Sequence, residues 1–224
     1  MSKITFKPEN LEKINNAVKK AERKTIGEIS LAFIKESHDY AAQELMLGII
    51  FGFLYFFTAI FFLNHIENVI QELFWDYSVI HLLLFYGLST FLVIFIGYML
   101  ANIPFVNRLI VSKKLMKKKV NERAVRYFME SGVYNTRERT GILIFMSLLE
   151  RRVELLADRG ISKKISQRQW DSIIQHIITG IKTKQFIQNC IEAIASCGKI
   201  LAEHFPARLD DINELGDDME ILEK

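Results

Sequence analysis

The chain has 224 residues, half of them hydrophobic, and carries 29 basic and 26 acidic side chains for a net charge of +3. So high a hydrophobic fraction is unusual for a soluble protein, which makes a membrane component the first feature to seek. The small net charge argues against nucleic-acid binding, which needs a broad positive surface. The chain is therefore best searched for membrane spans first.

The first segment, residues 1–42, predicts one helix followed by one strand. A helix start is indicated at Pro8, and the residues from Glu28 onward alternate in polarity as in a strand with one buried face. The apolar positions at helical spacing are Leu11, Ile14, Ala17, Val18 and Ala21, and those at strand spacing are Ile29, Leu31 and Phe33. One helix and one strand cannot enclose a core. The segment therefore needs partners from later in the chain.

Residues 43–107 contain two long stretches without a charged side chain, Leu45–Leu63 and Ser78–Asn107. A helix needs roughly 20 apolar residues to cross a bilayer, so both stretches qualify, with predicted spans at about 45–63 and 79–103. Buried core helices are the alternative, but both stretches are apolar on every face, and a domain of this size could not cover them. The sequence predicts a transmembrane hairpin.

The flanking charges predict the orientation of this hairpin. Eight basic residues and one acid lie between Arg108 and Arg126, whereas the connection Asn64–Tyr77 has three acids and no lysine or arginine. The positive-inside rule then places both termini in the cytoplasm of a multi-pass protein of the cell (inner) membrane. The residues predicted to set the topology and to face the lipid surface are Lys113, Lys114, Lys117, Lys118 and Lys119.

The segment after the hairpin, residues 108–206, predicts a helix, two strands and two more helices. The strands are Ile142–Leu149 and Val153–Asp158, joined as an antiparallel pair by a charged turn. Helices are expected at about 113–131, 167–182 and 185–204, the first with an apolar stripe of Leu115, Val120, Ala124, Val125 and Phe128 and a capping Gly132. The acidic tail, residues 207–224, is expected to be mostly extended or disordered.

Several stretches of this second segment resemble the TPM domain family in a bacterial, membrane-inserted form. They are TRER (136–139), TGILIFMSLLERRVELLADRGI (140–161), Trp170 and HFPARLDDINELGDD (204–218). The resemblance implies an α/β sandwich with a small mixed sheet between helices, here interrupted by the two-helix transmembrane hairpin. It also implies two kinds of role, since some members of the family act as phosphatases and others as accessory or assembly factors.

Four charged residues flank the predicted strand pair and form the candidate ligand or partner surface: Arg137, Arg139, Asp158 and Arg159. Phosphate hydrolysis needs positive charge against the phosphoryl oxygens, which the arginines could supply with Glu28 nearby. No recognised phosphatase motif is present, so no catalytic residue is assigned. The alternative is that the arginines form loop salt bridges with Glu138, Glu150 or the acidic tail.

Asp158 is also the candidate metal ligand, although no cofactor is predicted. Calcium binds six or more oxygen atoms, so one carboxylate needs help from Asp210, Asp211, Asp217 and Asp218 in the tail. Binding of a divalent cation at Asp158 is therefore kept as an alternative. The structural interpretation of the same place is that Asp158 accepts hydrogen bonds from the following amides and that Gly160 adopts a left-handed turn.

The sequence thus favours an integral membrane protein with one cytoplasmic TPM-like domain. Its expected role is non-catalytic, as an interaction, assembly or maintenance factor for a membrane complex. The expected partners are the lipid bilayer and another membrane protein, with no nucleic acid. The alternative function is a membrane-bound phosphatase, with or without a divalent cation.

Overall fold

The computed structural model describes residues 7–183, 185–208 and 213–223, with the side chain of residue 167 left out. The helices are α1 (Pro8–Glu22), α2 (Ala41–Phe61), α3 (Leu63–Leu73), α4 (Val79–Ala101), α5 (Pro104–Ile110), α6 (Lys113–Glu130), α7 (Arg159–Ser162), α8 (Gln167–Thr183) and α9 (Phe186–His204). The strands are β1 (Glu28–Ile34), β2 (Gly141–Ser147), β3 (Arg152–Ala157) and β4 (Glu220–Leu222). The chain divides into two compact units, residues 1–38 with 114–224 and residues 39–113.

The first unit is built on a four-stranded mixed sheet with the order β3-β2-β1-β4. β1 runs parallel to both β2 and β4, whereas β2 and β3 form an antiparallel hairpin. The register of β1 and β2 extends from Glu28 opposite Gly141 to Ile34 opposite Ser147. The strand supplied before the apolar helices therefore lies between two strands supplied after them.

Apolar side chains cover both faces of this sheet and pack against different helices. One face carries Ile29, Leu31, Phe33, Ile142, Ile144 and Met146, which pack with residues of α1, α8 and α9. The other carries Ala32, Ile34, Leu143 and Phe145, which pack with Val120, Ala124 and Tyr127 of α6. The sheet is thus enclosed by helices on both sides, which confirms the predicted α/β sandwich with a small mixed sheet.

The acidic tail contributes an element that the sequence did not predict. Residues Glu220–Leu222 form β4, and Ile221 lies opposite Phe33 of β1. Three residues are too few to show an alternating pattern, and the acidic neighbours hide it further. The strand is extended, as the tail was expected to be, but its backbone pairing with β1 was not predicted.

The inner face of α6 also differs from the predicted stripe. Met116, Val120, Ala124 and Tyr127 are its buried residues, whereas Val125 is 44% exposed. Residues four, four and three apart follow the true 3.6-residue period of a helix. The predicted stripe was wrong at Val125, which lies on the outer surface.

The second unit is a pair of apolar helices, α2 and α4, with the unpredicted helix α3 in their connection. Both are long and apolar enough to cross a membrane, by length and composition. In the most apolar 18-residue stretch of each helix, only 22% is buried in α2 and 6% in α4. The helices approach closely at Gly48, where a Cβ atom would lie 2.6 Å from the carbonyl oxygen of Ile94, as small residues allow between packed apolar helices.

Candidate functional site

One edge of the sheet brings the four predicted site residues into the same region. Because β1 and β2 are parallel and β3 is antiparallel to β2, Glu28, Gly141 and Ala157 all lie at this edge. Arg137 and Arg139 immediately precede β2, and Asp158 and Arg159 immediately follow β3. The edge is formed by the amino ends of β1 and β2, whereas ligands of open parallel sheets usually bind beyond the carboxyl ends.

Asp158 and Arg139 form the closest charged pair among the four residues. The Arg139 Nη1 atom lies 4.0 Å from Asp158 Oδ2, with the aspartate side chain 7% exposed and the arginine side chain 55% exposed. Arg139 Nη1 also donates to the carbonyl oxygen of Tyr134 at 2.6 Å. Asp158 Oδ1 accepts the backbone N–H of Arg159 at 2.6 Å and caps α7. Asp158 therefore has a local structural role, as a cap with a neighbouring cation.

The other two arginines of the candidate surface are Arg137 and Arg159, and the backbone of Arg137 contacts a carboxylate. The backbone N–H of Arg137 donates to the Glu214 carboxylate at 2.9 and 3.2 Å, and its side chain is exposed. Arg159 is also exposed. Glu138, an expected partner of the loop arginines, instead pairs with Arg208 at 2.9 Å. The tail is thus held against this edge by contacts on both sides of residues 209–212.

Glu150, the other expected partner, lies at the opposite edge of the sheet. Its carboxylate accepts the backbone N–H of Ser37 at 3.0 Å and the hydroxyl of Ser147. These bonds join the β2–β3 turn to the chain that leaves β1. The predicted pairing of Glu150 with Arg137 or Arg139 is therefore wrong.

Gly160 corrects another expectation, because its backbone is helical within α7 and not left-handed. Its role is close approach: a Cβ atom there would lie 2.5 Å from the carbonyl oxygen of Arg139. The left-handed residue of this region is Arg139 itself, at φ 58°. A non-glycine residue in that conformation is held by its surroundings, here the bond from the Gly160 N–H to the Arg139 oxygen at 3.1 Å.

A cleft of about 370 Å³ opens beside this edge and contains groups that the sequence did not single out. Its lining residues are Lys19, Glu22, Arg23, Thr25, Glu28, Ala207, Arg208, Asn213 and Asp217. Burial raises the pKa of Glu22 to about 9, helped by its hydrogen bond with Asp217 and the charges of Glu28 and Asp217, although the N–H of Ile29 opposes the shift. Glu22 lies four residues after Val18, on the buried side of α1. A charged residue within this apolar stripe was the sequence signal that could have identified Glu22.

The cleft also anchors the tail to α1 and β1. Asp217 lies 3.8 Å from Lys19 Nζ, and the backbone N–H of Glu214 donates to Glu28 Oε1 at 3.0 Å. Asn15 bonds both the Asp218 carboxylate and the N–H of Met219. These contacts bring the tail alongside β1 just before it becomes β4.

The tail carboxylates do not gather around Asp158 in the part of the chain that the structure describes. Within those residues, no group of three or more histidine, cysteine, aspartate or glutamate side chains is arranged to hold a metal ion. Asp217 and Asp218 face α1 instead, while Asp210 and Asp211 lie outside the described residues. The predicted cation at Asp158 stays a prediction.

Comparisons with known proteins give a family match over part of the chain and a similar fold. A family model described as the TPM domain matches residues 107–200. The chain is similar in structure to the BA42 protein of the psychrophilic bacterium Bizionia argentinensis, with a TM-score of 0.58, 21% sequence identity and coverage of 99% of each chain. At that identity the likeness is one of fold. No curated protein matches the sequence.

Proposed function

From the TPM domain that this chain carries, we propose a multi-pass membrane protein whose cytoplasmic domain holds a protein partner at the membrane surface without catalysing a reaction. The partner is another membrane protein, whose assembly or maintenance the domain assists. The bilayer is the second partner, and it anchors the domain through α2 and α4.

The exposed apolar surface of α2 and α4 carries this proposal. Phe53, Phe61, Leu83 and Phe91 are between 61% and 88% exposed, and charged residues are missing along both helices after Glu44. Monomeric soluble proteins rarely expose a continuous apolar patch of more than a few hundred Å². A bilayer covers such a surface on every side, which supports insertion of both helices.

The pairing at the sheet edge supports docking over catalysis. Arg139 is engaged with Asp158 and Tyr134, and Arg208 with Glu138. A phosphatase needs several cations aimed together at one phosphoryl group, whereas these side chains are shared with groups of the same chain. The rim of a protein–protein interface is polar and solvent-accessible, as these exposed charged side chains are.

The proposed topology predicts a one-sided labelling pattern in intact cells. A membrane-impermeant maleimide should label a cysteine placed at Asn68, which is exposed in α3, and should leave one at Glu220 unlabelled until the cells are opened. The native Cys190 and Cys197 need no removal, because both are fully buried and burial raises the pKa of each thiol to about 12. Labelling of the cysteine at Glu220 without labelling of the cysteine at Asn68 would show that the orientation is the reverse.

The proposed non-catalytic role predicts that the full chain, purified in mild detergent, hydrolyses no phosphomonoester above background. The assay uses p-nitrophenyl phosphate with and without added magnesium or calcium. Turnover that disappears in both Arg139→Ala and Asp158→Ala, but persists in the exposed control Arg126→Ala, would establish the phosphatase alternative. All three variants should first show an unchanged circular dichroism spectrum.

A further inference from the structure

The outer face of α6 carries apolar side chains that the domain itself does not cover. Among the described residues of the first unit, the large hydrophobic side chains that are more than a third exposed are Val125 (44%), Met129 (54%) and Ile221 (51%). Two of the three therefore lie on one helix. Single exposed apolar residues are ordinary on a protein surface. This pair differs because exposed lysines lie near it on α6.

Lysines occupy the same face toward the start of the helix. Val125 and Met129 lie seven and eleven residues after Lys118, so each is within about 20° of Lys118 around the helix axis, and Lys114 lies one turn before it. Lys114 and Lys117 are exposed, and the Lys118 side chain is 70% exposed. We define Lys114, Lys118, Val125 and Met129, together with Lys117 at their flank, as the α6 outer face.

Acidic groups offset only part of this positive charge. Glu122 lies 3.1 Å from Lys119 and 3.8 Å from Lys118, and Lys119 is the less exposed of the two lysines. Burial raises the pKa of Glu154 on β3, against the lowering effect of its hydrogen bond with Asn121 and the charges of Arg152 and Lys117. The α6 outer face thus keeps a net positive charge beside its apolar side chains.

Along the chain, α6 begins soon after the second apolar helix ends. α4 ends at Ala101, and the short α5 (Pro104–Ile110) is all that precedes α6 at Lys113. α5 itself exposes Phe105 (63%) and Leu109 (70%). Exposed apolar side chains therefore recur along the sequence in α4, in α5 and on the α6 outer face, with basic residues from Arg108 onward.

We propose that the α6 outer face binds the head groups of anionic phospholipids, with Lys114, Lys117 and Lys118 against the phosphates and Val125 and Met129 entering the interfacial layer. The inference rests on the proposed membrane insertion and goes beyond it, because α6 then lies along the bilayer instead of serving only as a topological marker. A basic helix with apolar side chains among its lysines is typical of binding in the plane of the interface. Each lysine near an anionic surface contributes about 1 kcal/mol, or about fivefold in association.

The test uses the full chain, reconstituted in nanodiscs of phosphatidylcholine alone or with roughly 30% phosphatidylglycerol, a composition that gives an anionic surface. An environment-sensitive fluorophore is attached at Val125→Cys, and its quenching by lipids spin-labelled at the head group is measured. We expect strong quenching in the anionic discs, falling at least about threefold in phosphatidylcholine discs, at high salt and in Lys114→Gln/Lys117→Gln/Lys118→Gln.

Two controls make the result specific to α6. The charge-matched variant Lys13→Gln/Lys20→Gln/Lys24→Gln, altered at exposed positions on and just after α1, should keep the quenching. A fluorophore at the exposed Ala195 of α9 should show little quenching in either disc. Equal quenching at Val125 in both lipids, or no loss on removing the three lysines, would overturn the proposal.

The assay also separates this proposal from the proposed insertion. A chain that fails to enter phosphatidylcholine discs contradicts the insertion itself, whereas a chain that enters both discs with an unquenched label contradicts only the lipid contact. Binding of a labelled nucleic acid or an acidic peptide that depends on the three lysines, without quenching by lipid, would assign the α6 outer face to that ligand instead.

Discussion

Leu31→Asp should destabilise the first unit by about 4 kcal/mol or more, a large part of the stability of an ordinary domain. Leu31 is 1% exposed at the centre of β1, and it packs with Ile144 and other residues of the larger core. An aspartate there would lose its water without gaining a cation. Since β1 lies between β2 and β4, the whole sheet depends on it.

The measurement is chemical denaturation of the full chain in detergent, followed by the fluorescence of Trp170, which is 3% exposed. The other tryptophan, Trp75, is fully exposed and is replaced by phenylalanine so that only the domain is observed. Asn16→Asp adds the same charge at an exposed position of α1 and should leave the midpoint unchanged. Equal midpoints for the Leu31 and Asn16 variants would show that β1 contributes little to the core.

Glu22→Gln should stabilise the domain at alkaline pH and flatten its stability profile. The pKa of Glu22 is about 9 in the folded chain against 4.5 for a free glutamate. The folded state therefore holds the proton more tightly than the unfolded state, so stability falls as the pH rises from 4.5 to about 9. Glutamine keeps the oxygen that accepts the N–H of Ile29 at 2.7 Å and can donate to Asp217 as a protonated glutamate does.

Unfolding free energies at about pH 5 and about pH 8.5 give the comparison, with an expected gain for Glu22→Gln of on the order of 2 kcal/mol at the higher pH only. The matched control is Glu12→Gln, an exposed position on the same helix, which should follow the unmodified chain at both values. A loss of stability in Glu22→Gln at the higher pH would mean that the ionised carboxylate supports the fold.

The elements that the sequence predicted well have strong local patterns. The apolar run of β2 and the charged turn after it give the antiparallel pair within two residues, and α8 and α9 follow from their helical spacing. β1 was expected to bury one face, yet Ala32 and Ile34 are buried as well. The second face is covered by α6, a helix far away in sequence. Two apolar residues on that face of β1 are too few to predict that a helix packs against it.

The candidate site was less predictable because its groups come from separate parts of the chain. Asp158 and Arg139 could be paired from the hairpin alone, since both adjoin its strands. Glu22 and Asp217 could not, because their contact depends on the tail passing beside α1. Gly160 was assigned a turn from composition, whereas the feature that needs glycine is the nearby carbonyl oxygen of Arg139.

The central position of β1 also sets an order of events during protein synthesis. β1 leaves the ribosome before its neighbours, since β2 and β4 both follow the two apolar helices along the chain. In a chain inserted as proposed, both apolar helices enter the membrane before the sheet can close. If only one of them crossed, β1 and β2 would be left on opposite sides of the bilayer and could not pair. The sheet would then fold only after complete insertion of the hairpin, and a half-inserted chain would remain accessible to proteases.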